Sequence, residues 1–79
     1  MRTTKEVRKV RKEFKDFKVV TYDDNFIVLR KEGVGVVEAR VNRGSLGTYD
    51  YQFVVEKFGQ RSKLFRGKNA IKRIKKYLE

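Results

Sequence analysis

The chain has no cysteine, histidine, proline or tryptophan. Without cysteine there is no disulfide. Without cysteine or histidine the usual ligands of a structural zinc site are missing, so neither staple can supplement a small core. The same absences remove the commonest general base and the thiolate nucleophile, which argues against an enzyme and against a metal or other cofactor. Apolar runs are short, Phe26-Ile27-Val28-Leu29 being representative, so nothing reads as a membrane span. The opening residues, Met1-Arg2-Thr3-Thr4-Lys5, lead into charge and not into the apolar stretch of a secretory signal, and the expectation is an intracellular, cytoplasmic protein.

What remains is compact and strongly basic. Seventy-nine residues suit one domain, 1–79, near the lower limit for a self-sufficient core, and 39% hydrophobic with 13% aromatic residues is enough apolar material to fold. The formal net charge is +11. It is unevenly placed. Residues 2–18 carry eight Lys or Arg against three acids, a net of +5, and residues 61–79 carry eight against one, a net of +7. The stretch between them carries five against six, a net of −1. Two like-charged ends in one small domain repel each other unless a polyanion relieves them, and this predicts an anionic partner.

Hydrophobic periodicity gives the elements. Thr3 and Glu6 have capping-box spacing, and Val7, Val10, Phe14 and Phe17 recur at intervals of three, four and three, which predicts a helix from Thr4 to Asp16. Phe17 to Tyr22 and Phe26 to Lys31 read as strands joined by an Asp23-Asp24-Asn25 turn. Val34 to Asn42 alternates with Val37, Ala39 and Val41 on one face, and Tyr49 to Phe58 alternates with Tyr49, Tyr51, Phe53 and Val55 on one face. Gly59-Gln60 fits a Gly-first hairpin turn into a fifth strand, Arg61 to Phe65. A last helix opens at Gly67, with Ala70, Ile71, Ile74, Tyr77 and Leu78 as its apolar stripe. These pieces predict a two-layer α+β fold, α-β-β-β-β-β-α, in which an antiparallel meander of four to five strands carries both terminal helices on one face.

The predicted binding residues are the helical cations Arg8, Lys9, Arg11, Lys12 and Lys15 with Lys68, Lys72, Arg73, Lys75 and Lys76. Lys ammonium groups act as point charges and Arg forks engage phosphate oxygens bidentately; both gain affinity by releasing counterions from a polyanion. Lys72, Arg73 and Lys76 are expected to be exposed. Arg43 joins the set as an auxiliary contact through the Arg43-Gly44-Ser45-Leu46-Gly47-Thr48 loop, whose glycines would let backbone N–H groups approach a phosphate, although an ordinary strand connection is the favoured reading of that segment. Tyr49, Tyr51 and Phe53 could stack bases if exposed, but a stripe at period two reads first as core. Asp23 or Asp24 with Glu38 and Arg40 offers the carboxylates and basic residue of a metal-dependent nuclease, yet turn formation and strand alternation already explain each of them.

A helix, an antiparallel sheet and a closing basic helix resemble the double-stranded-RNA-binding domain, and Gly67-Lys68-Asn69-Ala70-Ile71-Lys72 stands where that family starts its phosphate-binding helix. The family's paired lysines are reduced here to Lys68. Its Gly-Pro-x-His loop is absent, and five strands replace three. The resemblance therefore stays at the level of topology and one helix start. The function expected is phosphate-backbone binding to duplex DNA or structured RNA with low sequence selectivity, the alternative being an interaction module that inhibits or recruits an acidic protein. Membrane binding is not expected, since the apolar helix faces are needed for the core. A dimer is permitted through a sheet edge.

Overall fold

In the computed structural model, residues 5–44, 46–47, 49–67 and 69–79 are described, with every side chain among them except those of Arg43 and Tyr49. The elements are α1 (Lys5–Glu13), β1 (Lys18–Tyr22), β2 (Phe26–Lys31), β3 (Gly35–Arg43), β4 (Tyr49–Lys57), β5 (Lys63–Arg66) and α2 (Ala70–Leu78). The strands form one sheet in the order β1-β2-β3-β4-β5, every neighbour antiparallel. Short connections enforce this meander, because hairpin-length loops allow only antiparallel neighbours.

Register fixes which side chains share a face. Leu29 pairs with Val37 and Val37 with Val55; Ile27 pairs with Ala39, Ala39 with Phe53 and Phe53 with Phe65. These form two apolar rows on one side of the sheet, all buried. Val7, Val10 and Phe14 of the α1 region, and Ala70 and Ile74 of α2, close over them in a single cluster. Helix α1 packs on β2 and β3, and α2 on β4 and β5, so both helices lie on one face of the sheet as expected. Each fully buried Ile, Leu or Phe side chain removed from water contributes ~1.5–3 kcal/mol. Tyr51 and Phe53 stack with ring centroids 6.1 Å apart, Phe53 within the core and Tyr51 packed against it. They are not a free platform for bases.

Three boundaries differ from the sequence expectation by two residues or more, each for a local reason, and the other differences are of a single residue. Helix α1 stops at Glu13, where the Phe14 N–H is shared between the Val10 and Arg11 carbonyls at 3.2 Å each. This tightened turn swings Phe17 back, edge-on to Phe14 at 5.5 Å. The β4–β5 turn is centred on Phe58–Gly59, with the Gln60 N–H donating to the Lys57 carbonyl at 2.8 Å. Gly59 therefore takes its positive φ of 78° as the second central residue and not the first. Arg61 and Ser62 fall outside the strand, which begins at Lys63. Helix α2 begins at Ala70 and not at Gly67, because Asn69 is left-handed at φ 64°. The Asn69 carbonyl accepts the Arg73 N–H at 2.9 Å, the first helical bond. Thr3 and Thr4, on which the predicted cap rested, lie outside the described residues.

One glycine is fixed by packing. A Cβ on Gly35 would meet the backbone carbonyl of Glu56 and the Cα of Lys57 on β4, so the β3–β4 approach at this pair requires a residue without a side chain.

Candidate functional site

At 3.6 residues per turn, Val7, Val10 and Phe14 point to the sheet, and Lys5, Arg8, Lys12 and Lys15 project from the opposite side of α1 and the turn that follows it. Lys9 and Arg11 flank this line on either side, and all six cations are exposed. On α2 the buried Ala70 and Ile74 leave Lys72 and Lys76, four residues apart, facing outward. Its two flanking cations are already engaged. Lys75 reaches Glu13 of α1 at 3.1 Å, and its ammonium lies 5.8 Å from the Phe14 ring centroid. Arg73 donates a hydrogen bond to the Arg66 carbonyl and lies over the Phe65 ring at 5.8 Å. The guanidinium of Arg73, expected to be free for phosphate, thus also fastens α2 to β5. The Lys75–Glu13 pair ties the two helices together; they are not held apart as independent basic rods.

The opposite face of the sheet is left uncovered, and its charges differ in kind. Its rows run Phe26-Arg40-Gln52-Arg66 and Val28-Glu38-Val54-Leu64 across β2 to β5. Arg40 pairs with Glu38 at 4.0 Å, Arg66 with Asp50 at 3.2 Å, and Arg30 with Glu32 at 3.8 Å. Each arginine on that side is answered by a carboxylate. On the helix layer, by contrast, Arg8, Lys9, Lys12, Lys15, Lys72 and Lys76 form no ion pair among the described residues. Positive potential accumulates over the helices and is cancelled over the sheet.

Of the remaining predicted residues, Lys68 lies outside the described residues, as do Ser45 and Thr48 of the loop. Arg43 ends β3 opposite Tyr49, its side chain outside what is described, and the Gly47 N–H donates to the Gly44 carbonyl at 3.3 Å. Asp23 serves its turn: its carboxylate accepts the Asp24 N–H at 2.7 Å. Glu38 is spent on Arg40. Among the described residues no three carboxylates gather as a metal-holding group.

Two groups of residues were missed by sequence reasoning. The Lys57 and Lys63 ammoniums lie 5.7 and 5.2 Å from the Tyr77 ring centroid, which carries the basic surface from α2 onto the β4–β5 hairpin. Their nearness follows from the Val55–Lys63 register, which a sequence shows only once the turn is placed. The second group is a groove between α1 and β1, lined by Arg11, Lys12, Lys15, Phe17, Lys18 and Val19. No carboxylate lines it. Among the described residues, no helix is long and apolar enough to cross a membrane. Comparison of the chain with protein-family models, curated proteins and solved structures finds no match.

Proposed function

We propose that this protein binds nucleic acid, gripping the phosphate backbone of duplex DNA or structured RNA with the outward faces of α1 and α2 and with little sequence selectivity. The observation that carries this reading is the contrast between the two faces. Arginines of the open sheet face sit beside carboxylates, whereas six cations of the helix layer have none within ion-pairing distance among the described residues. Cations without internal partners are held against their mutual repulsion, and a polyanion relieves that repulsion while losing its own counterions.

Low selectivity follows from the chemistry of the groups. The outward positions of α2 are lysines, which address phosphates as point charges and carry no donor–acceptor pattern for base edges. Of the aromatic stripe that could have read unpaired bases, Phe53 belongs to the core and Tyr51 packs against it. The test is an electrophoretic shift assay with unrelated DNA and RNA duplexes of one length at two salt concentrations. Comparable shifts for unrelated sequences, weakening steeply with salt, support the proposal. No shift with any nucleic acid at low salt would overturn it and leave an acidic protein as the target of the basic surface.

A further inference from the structure

We infer that the groove between α1 and β1 holds an unpaired nucleic-acid strand, its backbone on the α1 cations and a base on the Tyr22 ring; this rests on the nucleic-acid reading above and extends it from duplex to duplex–single-strand junction. The starting point is an irregularity in β1. Lys18 pairs with Arg30 and Val19 with Leu29, but the next pairs are Thr21 with Val28 and Tyr22 with Ile27. Val20 is the extra residue of a β-bulge. Because cross-strand partners share a face, Val19 opposite Leu29 and Tyr22 opposite Ile27 both stand on the helix side, although three residues apart. In an unbroken strand Tyr22 would have faced the other way. Bulges re-aim side chains in this manner beside functional sites.

The re-aimed ring does not enter the core. Tyr22 is 44% exposed and lines a groove with Arg11, Val19, Val20 and Thr21. That groove shares Arg11 and Val19 with the one formed by Lys12, Lys15, Phe17 and Lys18. Joined, they present four cations, an exposed tyrosine and the half-buried Phe17 ring, with no carboxylate in either wall. The cleft on the other flank of α1 differs: there Glu13, Asp16 and Glu79 accompany Lys15, Lys31 and Lys75. Charge alone would serve either cleft for general attraction, but of the two only the α1–β1 groove joins a lining without carboxylates to a ring that has no ring partner or side-chain hydrogen bond among the described residues.

A duplex cannot use this combination. Its base faces are hidden in the stack, and only its phosphates reach the protein. An unpaired nucleotide uses both parts, phosphate on cation and base on aromatic face, and stacking of this kind tolerates any base. Phe17 is less available, since Phe14 and the Lys31 ammonium, 6.0 Å from its centroid, already occupy its surroundings. Tyr22 is therefore the stacking residue.

The experiment compares fluorescence anisotropy of the whole chain on a blunt duplex and on the same duplex carrying a five-nucleotide thymine tail. The tailed probe is expected to bind about tenfold more tightly, the effect of one stacked base. Tyr22→Ala should abolish that preference with blunt-duplex affinity unchanged, Tyr22→Phe should retain it, and Lys18→Glu should weaken the tailed probe selectively. Equal binding of the two probes by the unaltered protein, or a preference that survives Tyr22→Ala, would overturn the groove assignment and leave duplex binding intact. Failure to bind either probe would overturn the underlying nucleic-acid reading as well.

Discussion

Replacing Lys72 and Lys76 together by Gln gives the sharpest test of the helix layer. Both side chains are exposed, point away from the core and have no carboxylate partner among the described residues, so the folded state loses no ion pair seen there. Surface changes of this kind move stability by about 0.5 kcal/mol or less, and removing a like-charge pair at i, i+4 acts in the stabilising direction. Binding should respond very differently. If Arg8, Lys9, Lys12, Lys15, Lys72 and Lys76 each engage one phosphate, log affinity falls against log salt with a slope of about −5.4, at ~0.9 per contact. A rise from 50 to 200 mM salt then costs the unaltered protein ~2,000-fold in affinity, and the double variant, with four contacts and a slope of about −3.6, only ~150-fold. Anisotropy titrations on one duplex at four salt concentrations yield both slopes. Arg73 is kept in this variant, because its hydrogen bond to the Arg66 carbonyl and its place over Phe65 would mix a structural loss with a binding loss. An unchanged slope in the double variant would show that the phosphates lie elsewhere, and a slope near zero for the unaltered protein would remove the electrostatic mechanism altogether.

Three further outcomes follow from particular contacts. Glu13→Gln frees Lys75 from its 3.1 Å partner; affinity should rise and the salt slope steepen by ~0.9, while urea unfolding shows a loss under ~1 kcal/mol, since both side chains remain partly solvated and the pair is screened. Gly35→Ala places a methyl group against the Glu56 carbonyl of β4 and should destabilise by ~1–3 kcal/mol as the strands part; a neutral result in urea unfolding would contradict the close approach. Ile74→Ala empties a fully buried position beneath α2 and should cost ~2–5 kcal/mol. Against a total of ~4–12 kcal/mol for a chain of this length, the upper end approaches unfolding at moderate temperature, which a thermal melt would show.

The fold was legible wherever one physical period governed a segment. Val7, Val10 and Phe14, then Ala70 and Ile74, are spaced as a helix requires, and Val37, Ala39 and Val41 as a half-buried strand requires. All of them are in the core. Errors gathered where conformation depends on a single backbone torsion. Gly59 satisfies two different hairpin turns equally well from sequence, and the choice between them moves the start of β5 by two residues. Asn69 adopts a left-handed conformation that short polar residues tolerate, and so delays a helix whose composition would have allowed an earlier start.

The site was legible as charge but not as geometry, and the difference has a definite cause. Composition counts Arg40, Arg66 and Lys72 as equal cations, yet pairing with Glu38 and Asp50 silences the first two, and that pairing depends on which strand positions lie side by side. The Glu13–Lys75 contact spans 62 residues of sequence and arises only because both helices chose the same face of the sheet. The bulge in β1 is harder still to foresee: Val19, Val20, Thr21 and Tyr22 are all good strand formers, so nothing local announces that the alternation breaks among them. Register, which no single residue encodes, decides both which cations remain unopposed and where the exposed tyrosine points. The charge asymmetry of this small domain thus resides in its strand pairing as much as in its excess of lysine and arginine.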